Sequence, residues 1–220
     1  MTFSLVGKCA RTGMFGAAVT TSSISVGSRC PYARAGVGAV LTQHRTDPTL
    51  GPKGLDFLSE GKSAEETVAA LVDGNETISW RQLAVIDSSG SSAFFHGEHI
   101  SSVHSGSKGE NSCAIGNIIR TDDIPQKMVD AFESTPHEDL AERLLLGLEA
   151  GESAGGEFKQ IKSAALLVVH EETFPLVDLR VEFDRDPLAE LRFLWEVYRP
   201  QTKLYVQRAV DPYSIPYPEN

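Results

Sequence analysis

Thr2-Phe3-Ser4-Leu5-Val6, then Lys8-Cys9-Ala10-Arg11-Thr12-Gly13, then Met14-Phe15-Gly16-Ala17-Ala18-Val19-Thr20-Thr21: this opening stretch decides how the chain is read. Thr2 to Val6 predicts a short strand. Lys8 to Gly13 is polar and ends on glycine, which predicts a turn. Met14 to Thr21 predicts the return strand of an antiparallel hairpin. Small residues dominate that strand and run on through Ser22 and Ser23. Small side chains let backbones approach closely, which serves an active-site strand and a tightly packed sheet equally well.

Working outward, Gly36 to Gln43 predicts a buried strand, and two helices follow it. The first covers Leu50 to Ser59. The second opens at Ser63, where Ser63 and Glu66 have the spacing of a capping box, and ends near Gly74. Gln82 to Asp87 and Ser91 to His96 flank Ser88-Ser89-Gly90 as a second hairpin, and Cys113 to Ile119 is a further strand. A helix over Ile124 to Ser134 comes next. Another over Leu140 to Leu148 places Leu140, Leu144, Leu145 and Leu148 on one face, with Gly151 as its C-cap. Ser163 to His170 and Pro175 to Phe183 are strands joined by Glu171-Glu172-Thr173. A long helix starts at Pro187, and Pro200 kinks or divides it. Residues 211–220 read as an irregular tail. Helices arrive in pairs and strands in hairpins, so the order disfavours a doubly wound fold. It fits one α+β domain over residues 1–220, with two antiparallel sheets stacked between helical layers.

Composition narrows the function. The chain has 220 residues, 41% of them hydrophobic and 23% charged, with a formal net charge of −10. That balance argues against nucleic-acid binding and against anionic membrane surfaces, both of which call for basic patches. Three cysteines at unpatterned spacings point to a reducing compartment. With no secretory signal in the opening residues, the expected location is the cytoplasm. The expected partner is a small-molecule substrate, and self-association into a homo-oligomer is left open.

The chemistry lies at the start. A small residue after Met1 invites aminopeptidase removal of the methionine, which leaves Thr2 with a free α-amine. That amine can take the proton of the Thr2 hydroxyl, so one residue supplies nucleophile and base. Beside this, the run Met1-Thr2-Phe3-Ser4-Leu5-Val6-Gly7 resembles the opening of a large uncharacterised bacterial and archaeal family, a domain of unknown function. That family is placed by fold in the N-terminal-nucleophile (Ntn) hydrolase superfamily. Similar blocks follow in order: Tyr32 to Val40, Thr42-Gln43, Gly51 to Asp56, Arg81 to Val85, Gly116-Asn117, Gly155-Gly156, Ser163 to Val169, Val177 to Val181, and Leu188 to Arg192. The resemblance implies a four-layer αββα sandwich; by analogy with the superfamily, Thr2 is expected to be the nucleophile of an amidohydrolase acting by acyl transfer, with small amide or ester hydrolysis left open. It implies no particular substrate. The acid and lysine that proteasome-like members place near their threonine have no counterpart here. Thr21-Ser22-Ser23 holds no acid, and no lysine lies between Lys8 and Lys53.

The remaining site residues are assigned by chemistry. Arg29 or Arg34 supplies a fixed positive charge. Asn117 is a candidate oxyanion donor, and the backbone N–H groups of Gln43 and His44 are another. Ser163 is a candidate proton relay, Ser22 and Ser23 line the substrate site, and His104 matches the family pattern. Asp178 and Arg180 share a strand face as a structural ion pair. Two rival readings stand beside the threonine hydrolase. One is a non-catalytic small-molecule-binding protein with the same fold. The other is a metal-dependent hydrolase using His96, His99 and His104, whose spacing matches no strong zinc signature. No cofactor motif is present, so neither cofactor nor metal enters the favoured reading.

Overall fold

The computed structural model describes residues 1–215. Strands β1 (Thr2–Lys8) and β2 (Phe15–Thr21) form the expected hairpin. Its turn closes through Gly13, whose φ of 74° suits glycine. β1 lies in the middle of a six-stranded antiparallel sheet rather than at its edge. The order is β10-β9-β2-β1-β8-β7, with β7 His104–Lys108, β8 Ser112–Asn117, β9 Ser163–Val169 and β10 Val177–Val181. The second sheet is β3-β4-β5-β6, with β3 Pro31–Arg34, β4 Gly38–His44, β5 Arg81–Ile86 and β6 Ser92–His96.

Side-chain alternation explains the stacking. On β1, Phe3 and Leu5 point to one face and join the cluster of Met128, Phe132, Leu144 and Leu148. These come from helices α3 (Ile124–Glu133) and α4 (Leu140–Ser153). Val6 points the other way and packs with Ala39, Leu41, Ala84 and Ile86 of the second sheet. The two sheets therefore meet face to face. Helices α1 (Leu50–Ser59) and α2 (Ala64–Val72) cover the outer face of the four-stranded sheet. Helix α5 (Pro187–Tyr198) lies over β9 and β10 and is fastened to α4 by Arg192, which pairs with Glu142 at 2.7 Å and Glu149 at 2.8 Å. The protein is thus a mixed α+β structure with two antiparallel sheets. Among the described residues, no helix is long and apolar enough to cross a membrane.

Several boundaries differ from expectation for physical reasons. β3 and β7 are edge strands without apolar alternation. β3 opens on a proline, and the polar β7 sequence HSGSK is half exposed, so neither carries a strand signature. β4 starts at Gly38, because Gly36 at φ 70° and Gly38 at φ 153° bend the chain before it. Gly151 is not a C-cap. α4 runs through it to Ser153, and it is packed so closely that an added Cβ would meet Met128 at 3.0 Å and Phe3 at 3.1 Å. The chain reverses instead at Gly155 (φ 125°) and Gly156 (φ 58°). The Ser63–Glu66 capping box and the Asp178–Arg180 pair form as expected. After Pro200 the last helix divides, and α6 covers Thr202–Val210. Of the expected irregular tail, Pro212–Ser214 is a short 3-10 turn, and residues 216–220 lie outside the described residues.

Gly16 tests the packing of the central sheet. A Cβ there would fall 2.7 Å from the Leu167 carbonyl oxygen and 2.6 Å from Leu144. Backbone cannot swing aside, so Gly16→Ala should cost about 1–3 kcal/mol. The check is a lowered urea midpoint with an unchanged m-value, and a variant as stable as wild type would contradict this packing.

Candidate functional site

The strand registers bring polar residues to one end of the inter-sheet space. Thr2 pairs with Asn117, and Asn117 pairs with His104 on its other side. Phe3 pairs with Thr20, so the next pair outward is Thr2 with Thr21, and Thr21 in turn pairs with Ser163. Five strands thus contribute the row Ser163–Thr21–Thr2–Asn117–His104. Directly paired residues share a face, so the whole row faces the second sheet. There Gln43 pairs with Gln82, and Gln82 with His96, which makes a facing row.

The two rows are stitched together by buried hydrogen bonds. Ser4 Oγ donates to Gln43 Oε1 at 2.7 Å, and Gln43 Nε2 donates to Gln82 Oε1 at 2.6 Å. Asn117 Nδ2 donates to the same Gln82 oxygen at 2.9 Å. Gln82 Nε2 donates to the Gly116 carbonyl and to His96 Nδ1, both at 2.8 Å. Gln82 therefore uses every position its amide offers. His96 must accept at Nδ1, which puts its proton on Nε2, a buried atom without a partner among the described residues. Burial, helped by neighbouring His104, pushes His96 down to about 4. Asn117 Oδ1 is likewise buried and unpartnered.

A cavity of about 220 Å³ opens where the rows end, and Thr2, Thr21, Ser23, Arg29, Gln43 and His44 help to wall it. The Thr2 and Thr21 hydroxyls lie 3.3 Å apart, and both reach the Met1 carbonyl. Arg29 donates to the carbonyls of Ile24 and Ser25 and to Ser23 Oγ. His44 adopts φ 72° and hydrogen-bonds the Trp80 carbonyl through Nδ1 at 2.8 Å. A larger groove of about 1060 Å³ between α5, α6 and the β9–β10 turn is mostly apolar and touches neither polar row, so the site is assigned to the smaller cavity.

The structure sorts the residues singled out in the sequence. Thr2, Ser23, Arg29, Gln43 and His44 meet at the cavity. Asn117 and His104 share Thr2's row. Ser22 lies behind, donating its backbone N–H to Glu157 at 3.2 Å. Ser163 Oγ is occupied: it donates to the Ser23 carbonyl at 2.8 Å and accepts from Val26 N–H at 3.1 Å, so it ties down the loop after β2. Arg34 is not brought to the cavity. It shares a strand face with Tyr32 and pairs with Asp56 of α1 at 2.8 Å, on the far side of its sheet. The histidine triad does not assemble either. His96 and His104 have ring centres 5.2 Å apart, but His99 stacks on Trp80 in an exposed loop. Among the described residues no three His, Cys, Asp or Glu side chains are grouped to hold a metal.

Sequence reasoning missed Glu157. It is only 4% exposed, and its Oε1 has no partner among the described residues. The turn at Gly155-Gly156 and a β-bridge to Ile119 hold it near the chain's α-amine. Burial raises Glu157 to about 7, against the pull of that amine and the Ser22 N–H. The amine is lowered, chiefly by burial, with Glu157 opposing. Only the glycine pair marks this place in the sequence, and it signals a turn rather than a carboxylate.

His96 and Glu157 oppose each other in pH dependence. His96 is depressed from 6.5 to about 4, so its contribution is present above pH 6.5 and lost as pH falls toward 4. Glu157 is raised from 4.5 to about 7, so its contribution is present below pH 4.5 and lost as pH rises through 7. In Glu157→Gln, relative to wild type, stability should climb more steeply between pH 4.5 and 7. In His96→Gln it should climb less steeply or fall between pH 4 and 6.5. Denaturation midpoints across that range check both, and unchanged profiles would refute the assignment.

A family model described as "Family of unknown function (DUF1028)" matches residues 2–191. The crystal structure of a Silicibacter pomeroyi protein carrying the same family model is similar, with a TM-score of 0.84 and 28% identity over 90% of this chain and 85% of that one. The ancestral β-subunit Anbu from Yersinia bercovieri is 10% identical over 99% of this chain and 100% of its own, with a TM-score of 0.41, too low for a shared fold to follow. No curated protein matches the chain. Matched from β1 into α5 and paired with a solved structure of the same family model, the chain belongs to DUF1028, a family of unknown function.

Proposed function

We propose that this protein is a cytoplasmic Ntn-type amidohydrolase, in which Thr2, freed by removal of Met1, attacks an amide-like bond of a small substrate. The stacked sheets with helices on both outer faces are then the αββα sandwich of that superfamily. One observation carries the reading: Thr2, at the start of a central strand, walls a small polar cavity together with its neighbour Thr21 and the end of β4. Removal of Met1 would add a base, the Thr2 α-amine, to the hydroxyl and to the space for a reacting carbonyl.

The chemistry follows from that placement. The Thr2 hydroxyl attacks the substrate carbonyl carbon while the α-amine takes the hydroxyl proton. The developing oxyanion needs N–H donors, and of the two backbone groups at the end of β4 the His44 N–H is the better candidate, since the Gln43 N–H turns toward Gln82 in the ladder. Asn117 already commits Nδ2 to Gln82, which leaves that side chain with one donor. Collapse breaks the C–N bond, and the leaving amine takes the proton back. Water then hydrolyses the threonyl ester. In the chain that still carries Met1, burial lowers the Met1 α-amine and Glu157 opposes that shift. The Thr2 amine, uncovered one residue further in, is expected to feel the same two influences, so that burial favours the neutral base.

Intact-mass analysis should find the mature chain lacking Met1. Against a panel of small amides, Thr2→Ala should lose roughly a thousandfold or more in kcat while Thr2→Ser keeps measurable turnover. A Thr2→Ala variant that still turns over would eliminate the mechanism. Ligand binding without turnover by any processed variant would favour the non-catalytic binding protein.

The pH profile gives a separate check. Glu157 favours the charged form of the Met1 amine. The Thr2 amine that takes its place is expected to feel the same carboxylate, so Glu157→Gln should move the alkaline-going rise in kcat/KM to lower pH. A rise that stays in place, or moves up, would show that the titrating base is not the terminal amine.

A further inference from the structure

We propose that the ligand of the Thr2 cavity is a small carboxylic acid, its carboxylate held by Arg29 and its amide a few bonds away at Thr2. The binding half of this statement rests on the cavity alone, and the placement of the amide rests on the reading of Thr2 above.

Three observations converge. The first is charge. The chain carries 30 acidic and 20 basic residues, yet Arg29 is the one Asp, Glu, Lys or Arg among the residues that wall the cavity. Glu157 lies behind the loop at Ser22, outside that wall. The wall also includes His44 and Met1, and burial pushes the Met1 α-amine toward its neutral form. A permanently charged guanidinium at the edge of a small polar space attracts an anion.

The second is the state of Arg29. Among the described residues it has no carboxylate partner within ion-pair distance. Its bonds go to neutral acceptors: Nη1 to the carbonyls of Ile24 at 2.7 Å and Ser25 at 2.6 Å, and Nη2 to Ser23 Oγ at 2.7 Å. A guanidinium has five N–H groups, so Nε–H and one Nη2–H remain. Two donors are what a carboxylate takes in a bidentate pair. The bonds already made hold the side chain in place, so little rotamer freedom is lost when an anion arrives.

The third is size. With Met1 still among its walls, the cavity's volume of about 220 Å³ falls below the usual range for drug-sized ligands. It equals roughly seven waters at their share of liquid volume. The remaining wall offers hydroxyls of Thr21, Ser23 and Thr46 and the amide of Gln43. Short N-acyl amino acids have this size and this pairing of amide with carboxylate.

The test uses the full-length processed protein and a matched pair of probes, N-acetylglycine and N-acetylglycinamide, which differ in the charge of one end. Binding is read by titration calorimetry, and hydrolysis of both is followed in parallel. Wild type should prefer the acid by roughly tenfold or more, the value of one charge-assisted hydrogen bond. R29Q should erase the preference, and R29K should keep part of it, since charge remains but the planar fork is lost. R34Q, altered on the far side of the sheet, should behave as wild type. Circular dichroism of each variant confirms folding, and R29K carries the test if R29Q does not fold. Equal or undetectable binding of both probes by wild type would overturn the proposal, as would a preference that survives R29Q. Inorganic phosphate competing as well as N-acetylglycine would reduce the site to an unselective anion pocket and overturn the carboxylate assignment. Acid-selective binding without hydrolysis would sink the Thr2 reading and leave this one standing. Hydrolysis of both probes without preference would do the reverse.

Discussion

The buried amide of Gln82 is the point on which this architecture turns. Two sheets packed face to face make a dry interior, and any polar group there must find a partner or cost about 1–3 kcal/mol. At one end of the interior the sequence places Ser4, Gln43, Gln82, Asn117 and His96 together, all but His96 fully buried. Gln82 bonds three of the others directly, reaches Ser4 through Gln43, and caps the Gly116 carbonyl besides. The network also fixes how the sheets are registered. A one-residue slip of β5 would turn Gln82 toward α2 and leave each of its partners unsatisfied.

That end of the sandwich is also where charge is kept down. His96 is held neutral, because protonating Nδ1 would break the bond from Gln82. Glu157 shares its proton economy with the α-amine across the loop. The two sheets thus enclose an interior of low effective dielectric with a single fixed cation, Arg29, at its mouth. Interactions made there are stronger than the same contacts on the surface.

The parts of the fold legible in the sequence are those with a period. The hairpin of β1 and β2, the leucine face of α4 and the capping box of α2 all follow from local patterns. The edge strands β3 and β7 do not, because an edge pairs on one side and needs no apolar alternation. The candidate site was legible where chemistry is local, at Thr2, and where a strand ends beside it, at Gln43, His44 and Asn117. Arg29 and Arg34 look alike in sequence. What separates them is that Arg34 shares the face of Tyr32, toward α1, while Arg29 lies in a turn whose carbonyls it binds. Gln82 and Glu157 gave no signal, since long-range burial alone distinguishes them from any strand glutamine or loop glutamate. Gly151 misled because a glycine near a helix end serves close packing as readily as termination.

β1 has β2 on one side and β8 on the other, and β2 in turn needs β9. The row that carries Thr2 is therefore completed only by residues as distant as Asn117 and Ser163. A ribosome adding roughly 5–20 residues per second takes on the order of ten seconds or more to pass from Thr2 to Ser163. Until then β2 has no partner on its outer side and the row lacks its last member. A copy truncated or stalled before Ser163 therefore cannot complete the row that Thr2 belongs to.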